Sequence, residues 1–235
     1  ADHCGMLPVL VRDGFRGSIY ATAATRDVAE WIMRDSAGIQ VADIEYLEEH
    51  GIQLPPELSF PLYTLEDIPA VMRQFHVVPY TREVGGTWTS LSPRVRVKLY
   101  DAGHILGSSI IVIEGEEDGV VHRLLFSGDV GRKNTPILRD PEIVAEPVDV
   151  ALVESTYGGR IHKTVEDAAR ELVEVIQTAI RQKGKIIVPA FSLGRTQELV
   201  YVLHELTDQG KIPRIPIYVD SPLAGNLTEV FKRHP

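Results

Sequence analysis

The sequence predicts an α/β protein in two parts: a strand-rich sandwich with helices over residues 1–160, and the start of a parallel α/β domain over residues 161–235. Two observations lead to this prediction. In the first part, apolar and alternating runs are joined by a hairpin signal, Asp118-Gly119, as in antiparallel sheets. In the second part, predicted strands alternate with predicted helices, which is typical of a parallel sheet.

The first part combines short strands with two helices. Residues 17–21 predict a strand, and the segment from Thr25 to Asp35 predicts a helix with Thr25 as its N-cap. Prolines interrupt regular structure between residues 36 and 62, after which residues 65–75 predict a short helix. Further strands are predicted over residues 94–100, 109–114, 121–127 and 148–154.

The second part begins with a long amphipathic helix. Its apolar positions recur at helical spacing from Thr164 to Lys183, and Gly184 ends it. A strand over residues 185–189, a helix over 194–206 and a strand over 215–219 follow.

Composition limits the class of protein. Of the 235 residues, 44 % are hydrophobic and 24 % charged, as in ordinary globular domains. No apolar run approaches the ~20 residues of a membrane helix, and the single cysteine excludes intramolecular disulfides, so we expect a cytoplasmic protein without a membrane partner. A net charge of −9 argues against nucleic-acid binding over the whole surface but leaves room for a local basic strip.

Metal-ligand side chains stand beside glycines or at the ends of predicted strands. Imidazole and carboxylate together are the ligands that hydrolytic zinc sites use. Taken singly, such a residue is more often a turn, cap or surface residue, so spacing alone leaves both interpretations open. The candidates are Asp2, His3, His104, Asp129 and Glu154.

Six motifs, beginning with Ala1-Asp2-His3 and ending with Ile217–Ala224, stand in an order that resembles the metallo-β-lactamase superfamily and specifically its β-CASP nuclease branch. Ala1-Asp2-His3 resembles the end of the family's opening His-x-His-x-Asp-His motif. Two more resemble its next histidine motif and its bridging-aspartate motif, and three resemble β-CASP stretches. These five are Asp101-Ala-Gly-His-Ile-Leu-Gly-Ser108, Leu125–Gly131, Glu154-Ser-Thr-Tyr-Gly158, Ile187–Glu198 and Ile217–Ala224.

The resemblance implies a fold and an activity. The fold would be an αββα metallo-β-lactamase sandwich over residues 1–160, lacking its N-terminal strands, followed by the first part of a β-CASP domain with parallel strands over residues 161–235. The activity would be zinc-dependent, two-metal hydrolysis of RNA phosphodiester bonds, by internal cleavage, 5′–3′ exonucleolysis or both. RNA would be the substrate, and a homo-oligomer or a processing complex are candidate assemblies.

The resemblance also implies a role for each site residue. Asp2 and His3 would bind the second of two zinc ions, His104 would complete the histidine set of the first, and Asp129 would bridge them. Asp2 and Glu154 are the catalytic candidates, with Glu154 hydrogen-bonded to a histidine or to another ligand. Arg195, which follows a glycine at a predicted helix start, is the candidate for binding a substrate phosphate.

The family's first two histidines would lie before Ala1 and its later β-CASP histidines after Pro235, so we expect a fragment of a longer enzyme.

Three alternatives stay open. A thioester or lactone hydrolase like glyoxalase II would share the opening motifs but lack the α/β part after residue 160. A DNA nuclease of the same branch usually has aspartate where this chain has Glu154. A non-catalytic RNA-processing subunit would bind no metal.

Overall fold

The computed structural model describes residues 3–55, 60–81, 86–161 and 163–234. It divides the chain into two compact units, residues 1–79 with 229–235, and residues 80–228. Along the described residues the helices and strands are α1 (Leu7–Arg12), β1 (Ile19–Ala21), α2 (Ala23–Glu49), α3 (Ile68–Met72), β2 (Phe75–Val77), β3 (Thr89–Ser92), β4 (Val95–Asp101), β5 (Ser109–Glu117), β6 (Val120–Phe126), β7 (Val150–Leu152), α4 (Val165–Arg181), α5 (Arg195–Asp208) and α6 (Pro222–Arg233).

The long helix α2 dominates the first unit and corrects a prediction. Its N-cap is Thr22, whose hydroxyl accepts the Thr25 N–H at 3.1 Å, so Thr25 lies inside the helix. The helix continues past the predicted end at Asp35 because no proline follows until residue 55. It ends at Glu49, shortly before Gly51, whose φ of +67° permits the turn in which the Ile52 N–H donates to the Leu47 carbonyl at 3.0 Å.

The core of the first unit forms on one face of α2. Ala29, Met33 and Ala37 recur every four residues and are fully buried. Ile68 and Val71 of α3 belong to the same cluster. The predicted helix over 65–75 is therefore shorter than expected, and its last residue, Phe75, begins β2, which pairs in parallel with β1.

A five-stranded sheet, in the order β3-β4-β5-β6-β7, organises the second unit. Its neighbours are antiparallel except β6 and β7, which run parallel. The predicted hairpin between β5 and β6 is confirmed, because Asp118 and Gly119 both have positive φ angles, 51° and 77°. The sheet's core residues are Tyr100, Ala102, Ile110 and Val112.

The helices α4 and α5 pack together through Ile176, Leu203 and Leu206 and confirm the two predicted helices. The predicted strands over residues 185–189 and 215–219 are wrong for this structure, since both segments are fully described and neither forms a ladder. Ile187, for example, is 91 % exposed. An apolar run indicates extended backbone but does not provide the neighbour whose hydrogen bonds make it a strand.

No helix in the described part of the chain is long and apolar enough to cross a membrane. The mixed α/β class is confirmed, and the boundary at residue 160 stays a prediction.

Candidate functional site

Three loops in the second unit carry the predicted site residues His104, Asp129 and Glu154. They follow β4, β6 and β7, whose ends lie along the same sheet. Loops on a rigid sheet are a common place for catalytic groups, because the sheet fixes where each loop begins.

The His104 loop is fixed by its own hydrogen bonds. The Asp101 carboxylate accepts the Gly103 N–H at 2.9 Å, and the Ser108 hydroxyl accepts the His104 N–H at 3.1 Å. The Tyr80 hydroxyl in turn donates to the Ser108 carbonyl at 2.8 Å. The backbone that carries the imidazole is therefore tied down on both sides of His104.

The Asp129 loop crosses the His104 loop in direct backbone contact. The Gly131 N–H donates to the Ala102 carbonyl at 2.7 Å. A Cβ added at Gly131 would lie 1.8 Å from the Gly103 carbonyl oxygen, so no other residue fits there. This contact brings the Asp129 Oδ2 to 3.7 Å from the His104 Nε2, with both side chains partly exposed.

Glu154 fastens the third loop to the second. Its Oε1 accepts the Val130 N–H at 2.7 Å, and its own N–H donates to the Ser127 hydroxyl at 3.0 Å. The Val130 N–H, then the Thr156 hydroxyl, and more weakly the charge of His104 hold the pKa of Glu154 below its usual range. Glu154 is thus an anion whose carboxylate contacts the backbone N–H of Val130, the residue that follows Asp129.

The pair His104 and Asp129 fits part of a metal site. Two ligand atoms at about 2.1 Å from a tetrahedral ion lie about 3.4 Å apart, close to the observed 3.7 Å. Within the described residues, no three His, Cys, Asp or Glu side chains come together closely enough to hold an ion.

The other two predicted ligands, Asp2 and His3, belong to the N-terminal segment of the chain. Asp2 lies outside the described residues. His3 is exposed and precedes α1 in the first unit.

Arg195 is the first residue of α5 and is well exposed, with its Nη1 3.0 Å from the Glu198 Oε2. The preceding Gly194 is buried, and a Cβ there would lie 3.5 Å from the Ile105 Cγ2. The start of α5 therefore lies against the loop that carries His104.

Sequence reasoning missed the residues that hold these loops in place. Glu142 brackets Asp101, since its carboxylate accepts the Asp101 N–H at 2.6 Å and its N–H donates to the Asp101 carbonyl at 2.9 Å. Glu146 binds the buried Lys98 at 2.5 Å and accepts the Tyr100 hydroxyl. These partners lie 41 to 48 residues apart in the sequence, so no local pattern relates them.

Comparisons with known proteins agree with the sequence motifs. Residues 196–235 match the Beta-Casp domain family. The chain is 32 % identical to "Ribonuclease TTHA0252" of Thermus thermophilus over 99 % of this chain and 47 % of that protein. It is 35 % identical to "Transcription termination factor FttA" of Pyrococcus horikoshii, over 100 % of this chain and 33 % of that protein.

A third relative is eukaryotic. "Cleavage and polyadenylation specificity factor 73" of Drosophila melanogaster is 32 % identical over 99 % of this chain and 31 % of its own length. The chain thus spans less than half the length of these relatives. The Beta-Casp match and the similarity along the whole chain support the metallo-β-lactamase β-CASP family that the motifs indicate.

Proposed function

We propose that the protein is a metal-dependent nuclease that hydrolyses RNA phosphodiester bonds. The observation that carries the proposal is the 3.7 Å approach of His104 and Asp129, enforced by the glycine contact between their loops. The names of the relatives, a ribonuclease among them, supply the substrate class. RNA is therefore the substrate that we assign to this site.

The proposed cofactor is zinc, with two ions in the complete site. His104 and Asp129 would be ligands, and Asp2 and His3 are proposed to complete the set from the N-terminal segment. When bound, the metal would neutralise phosphate charge and lower the pKa of water enough to provide a nucleophile near neutral pH.

The chain's own residues would orient the ligands and the substrate. Glu154 accepts the Val130 N–H and thereby holds the backbone next to Asp129, which would help to orient that ligand. The turn from Asp101 to Ser108 holds the backbone of His104. Arg195, exposed beside this turn, would bind a phosphate of the RNA strand.

The finer fold predictions belong to the same proposal. We infer an αββα sandwich in which the observed five-stranded sheet is one layer, and a domain boundary near residue 160. A cytoplasmic location and assembly as a homo-oligomer or in a processing complex are further parts of the proposal.

Zinc content tests the site directly. We expect elemental analysis of the purified protein to find zinc, and Asp129→Ala to lose at least half of it because a shared ligand is removed. Asp43→Ala, an exposed aspartate on α2, is the matched control and should keep the full amount. Absence of zinc and of any other divalent metal from the unaltered protein would favour the non-catalytic subunit.

Substrate preference separates the enzymatic alternatives. We expect metal-dependent cleavage of single-stranded RNA in preference to DNA of the same sequence. Preferential cleavage of DNA would favour the DNA nuclease, and hydrolysis of a thioester without cleavage of RNA would favour the glyoxalase II-like enzyme.

A further inference from the structure

A pocket of about 460 Å³ opens beside the candidate site within the second unit. Leu172 of α4 and Leu199 and Val202 of α5 give it an apolar floor. Phe191 stands at its wall and is 83 % exposed. The volume lies in the range of about 300–1,000 Å³ that is usual for small-molecule sites.

Three charged side chains line this pocket: Arg132, Arg195 and Glu198, the carboxylate that pairs with Arg195. Arg132 is exposed and donates to the Lys163 carbonyl at 3.4 Å, and Arg195 is held by Glu198 at 3.0 Å. Two guanidinium groups around an apolar floor are notable in a chain of net charge −9. They match a ligand that combines a flat apolar part with negative charge.

Two loop contacts link the lining of this pocket to the loop that carries His104. Arg132 directly follows Gly131, whose backbone contacts the His104 loop. Arg195 directly follows Gly194, which lies against Ile105 of the same loop. These two contacts place the pocket next to the loops that carry the metal-ligand pair, where the nucleotide beside the scissile phosphate would lie.

We propose that the pocket is a nucleotide subsite for the residue next to the scissile phosphate. The base lies on the apolar floor against Phe191, and its phosphate binds Arg132 and Arg195. Aromatic and guanidinium planes stack on every base, so the subsite gives affinity and register with little base preference. This inference rests on the proposed function, because it takes RNA as the ligand.

Binding without metal isolates the subsite from the chemistry. The assay is fluorescence anisotropy of a labelled oligouridylate with the protein in EDTA, repeated over a range of salt. Filling the pocket with Ala169→Leu should weaken binding about five- to hundredfold, the usual worth of one stacked base. Ala179→Leu on the same helix lines a different groove and is the matched control.

The arginines give a second, independent readout. Arg132→Ala and Arg195→Ala should each lower the slope of log Kd against log salt by about 0.7, as expected for one lost phosphate contact on a single strand. Arg181→Ala, an exposed arginine at the end of α4 that does not line the pocket, should leave the slope unchanged. Urea unfolding of each variant verifies that it is folded.

An oligomer with abasic sites tests the base itself. We expect it to bind the unaltered protein more weakly than oligouridylate, and Ala169→Leu to remove that difference. The subsite is overturned if the protein does not bind the RNA, if the abasic oligomer binds equally well, or if the pocket variants bind like their controls. Cleavage after metal addition is measured separately. If the unaltered protein binds RNA as expected but does not cleave it, only the nuclease is refuted. If it cleaves RNA but the pocket variants bind as tightly as their controls, only the subsite is refuted.

Discussion

Replacing Gly131 with alanine tests whether the contact between two loops builds the site. The added Cβ would lie 1.8 Å from the Gly103 oxygen and 2.7 Å from the His104 nitrogen, and both are backbone atoms that no rotamer change can move away. One loop must therefore shift by about 1 Å. That shift also breaks the 2.7 Å hydrogen bond from the Gly131 N–H to the Ala102 carbonyl.

Two terms give the magnitude for Gly131→Ala. The lost hydrogen bond costs about 1 kcal/mol, and forced repacking costs about 1–3 kcal/mol. We therefore expect the free energy of unfolding to fall by about 2–4 kcal/mol. A displacement of about 1 Å between catalytic groups also lowers cleavage roughly a hundredfold.

Urea unfolding and RNA cleavage measure both effects of Gly131→Ala. Gly159→Ala is the control, because a Cβ at Gly159 meets no atom within 4 Å. It should keep the stability and the activity of the unaltered protein. The reasoning is refuted if Gly131→Ala unfolds at the same urea concentration as Gly159→Ala.

Three further predictions follow from other contacts. Glu146→Gln removes the partner of Lys98, which is 2 % exposed, and should cost about 3–5 kcal/mol in urea unfolding; an unchanged midpoint would contradict a buried ion pair. Hydrogen bonding from Arg96 holds the pKa of Glu114 below its ordinary 4.5, so this stabilisation is present above pH 4.5 and is lost as the pH falls through the lower folded pKa. The free energy of unfolding should therefore fall as the pH is lowered from neutral into the acid range, and it should fall less in Glu114→Gln. An equal fall in both proteins would show that Glu114 is not the source of this pH dependence. Glu154→Ala should weaken zinc binding about 10–100-fold in a chelator competition. An unchanged zinc affinity would contradict a role of Glu154 in orienting the ligands.

The sequence predicted elements whose signal is local. Alternation and the Asp118-Gly119 turn indicated β4, β5 and β6, and apolar spacing with a stop at Gly184 indicated α4. These features depend on residues a few positions apart in the chain, so their patterns can be seen directly in the sequence.

Features that depend on distant partners were missed or misjudged. Residues 185–189 have a strand-like pattern, but pairing needs a neighbour that no local pattern specifies. Prolines at 55, 56 and 61 indicate irregular structure after residue 35, whereas α2 continues to Glu49 and the turn at Gly51 ends it.

The candidate site was predictable as residue types but not as geometry. His104, Asp129 and Glu154 stand out beside glycines and strand ends, and the structure brings them together in the loops that follow β4, β6 and β7. The pocket that includes Arg132 was not visible in the sequence, because its walls come from α4, α5 and the loop after β6. Such a site depends on tertiary packing rather than on any motif.

Cleavage of single-stranded RNA before and after metal removal is the most direct test of the central claim. A labelled RNA is incubated with the protein, with the protein stripped by a chelator, and with the stripped protein given zinc, each alongside Asp129→Ala. We predict cleavage that disappears on stripping, returns with zinc and is absent from Asp129→Ala throughout. Cleavage that persists in the chelator, or that Asp129→Ala retains in full, would contradict a metal-dependent nuclease site at His104 and Asp129.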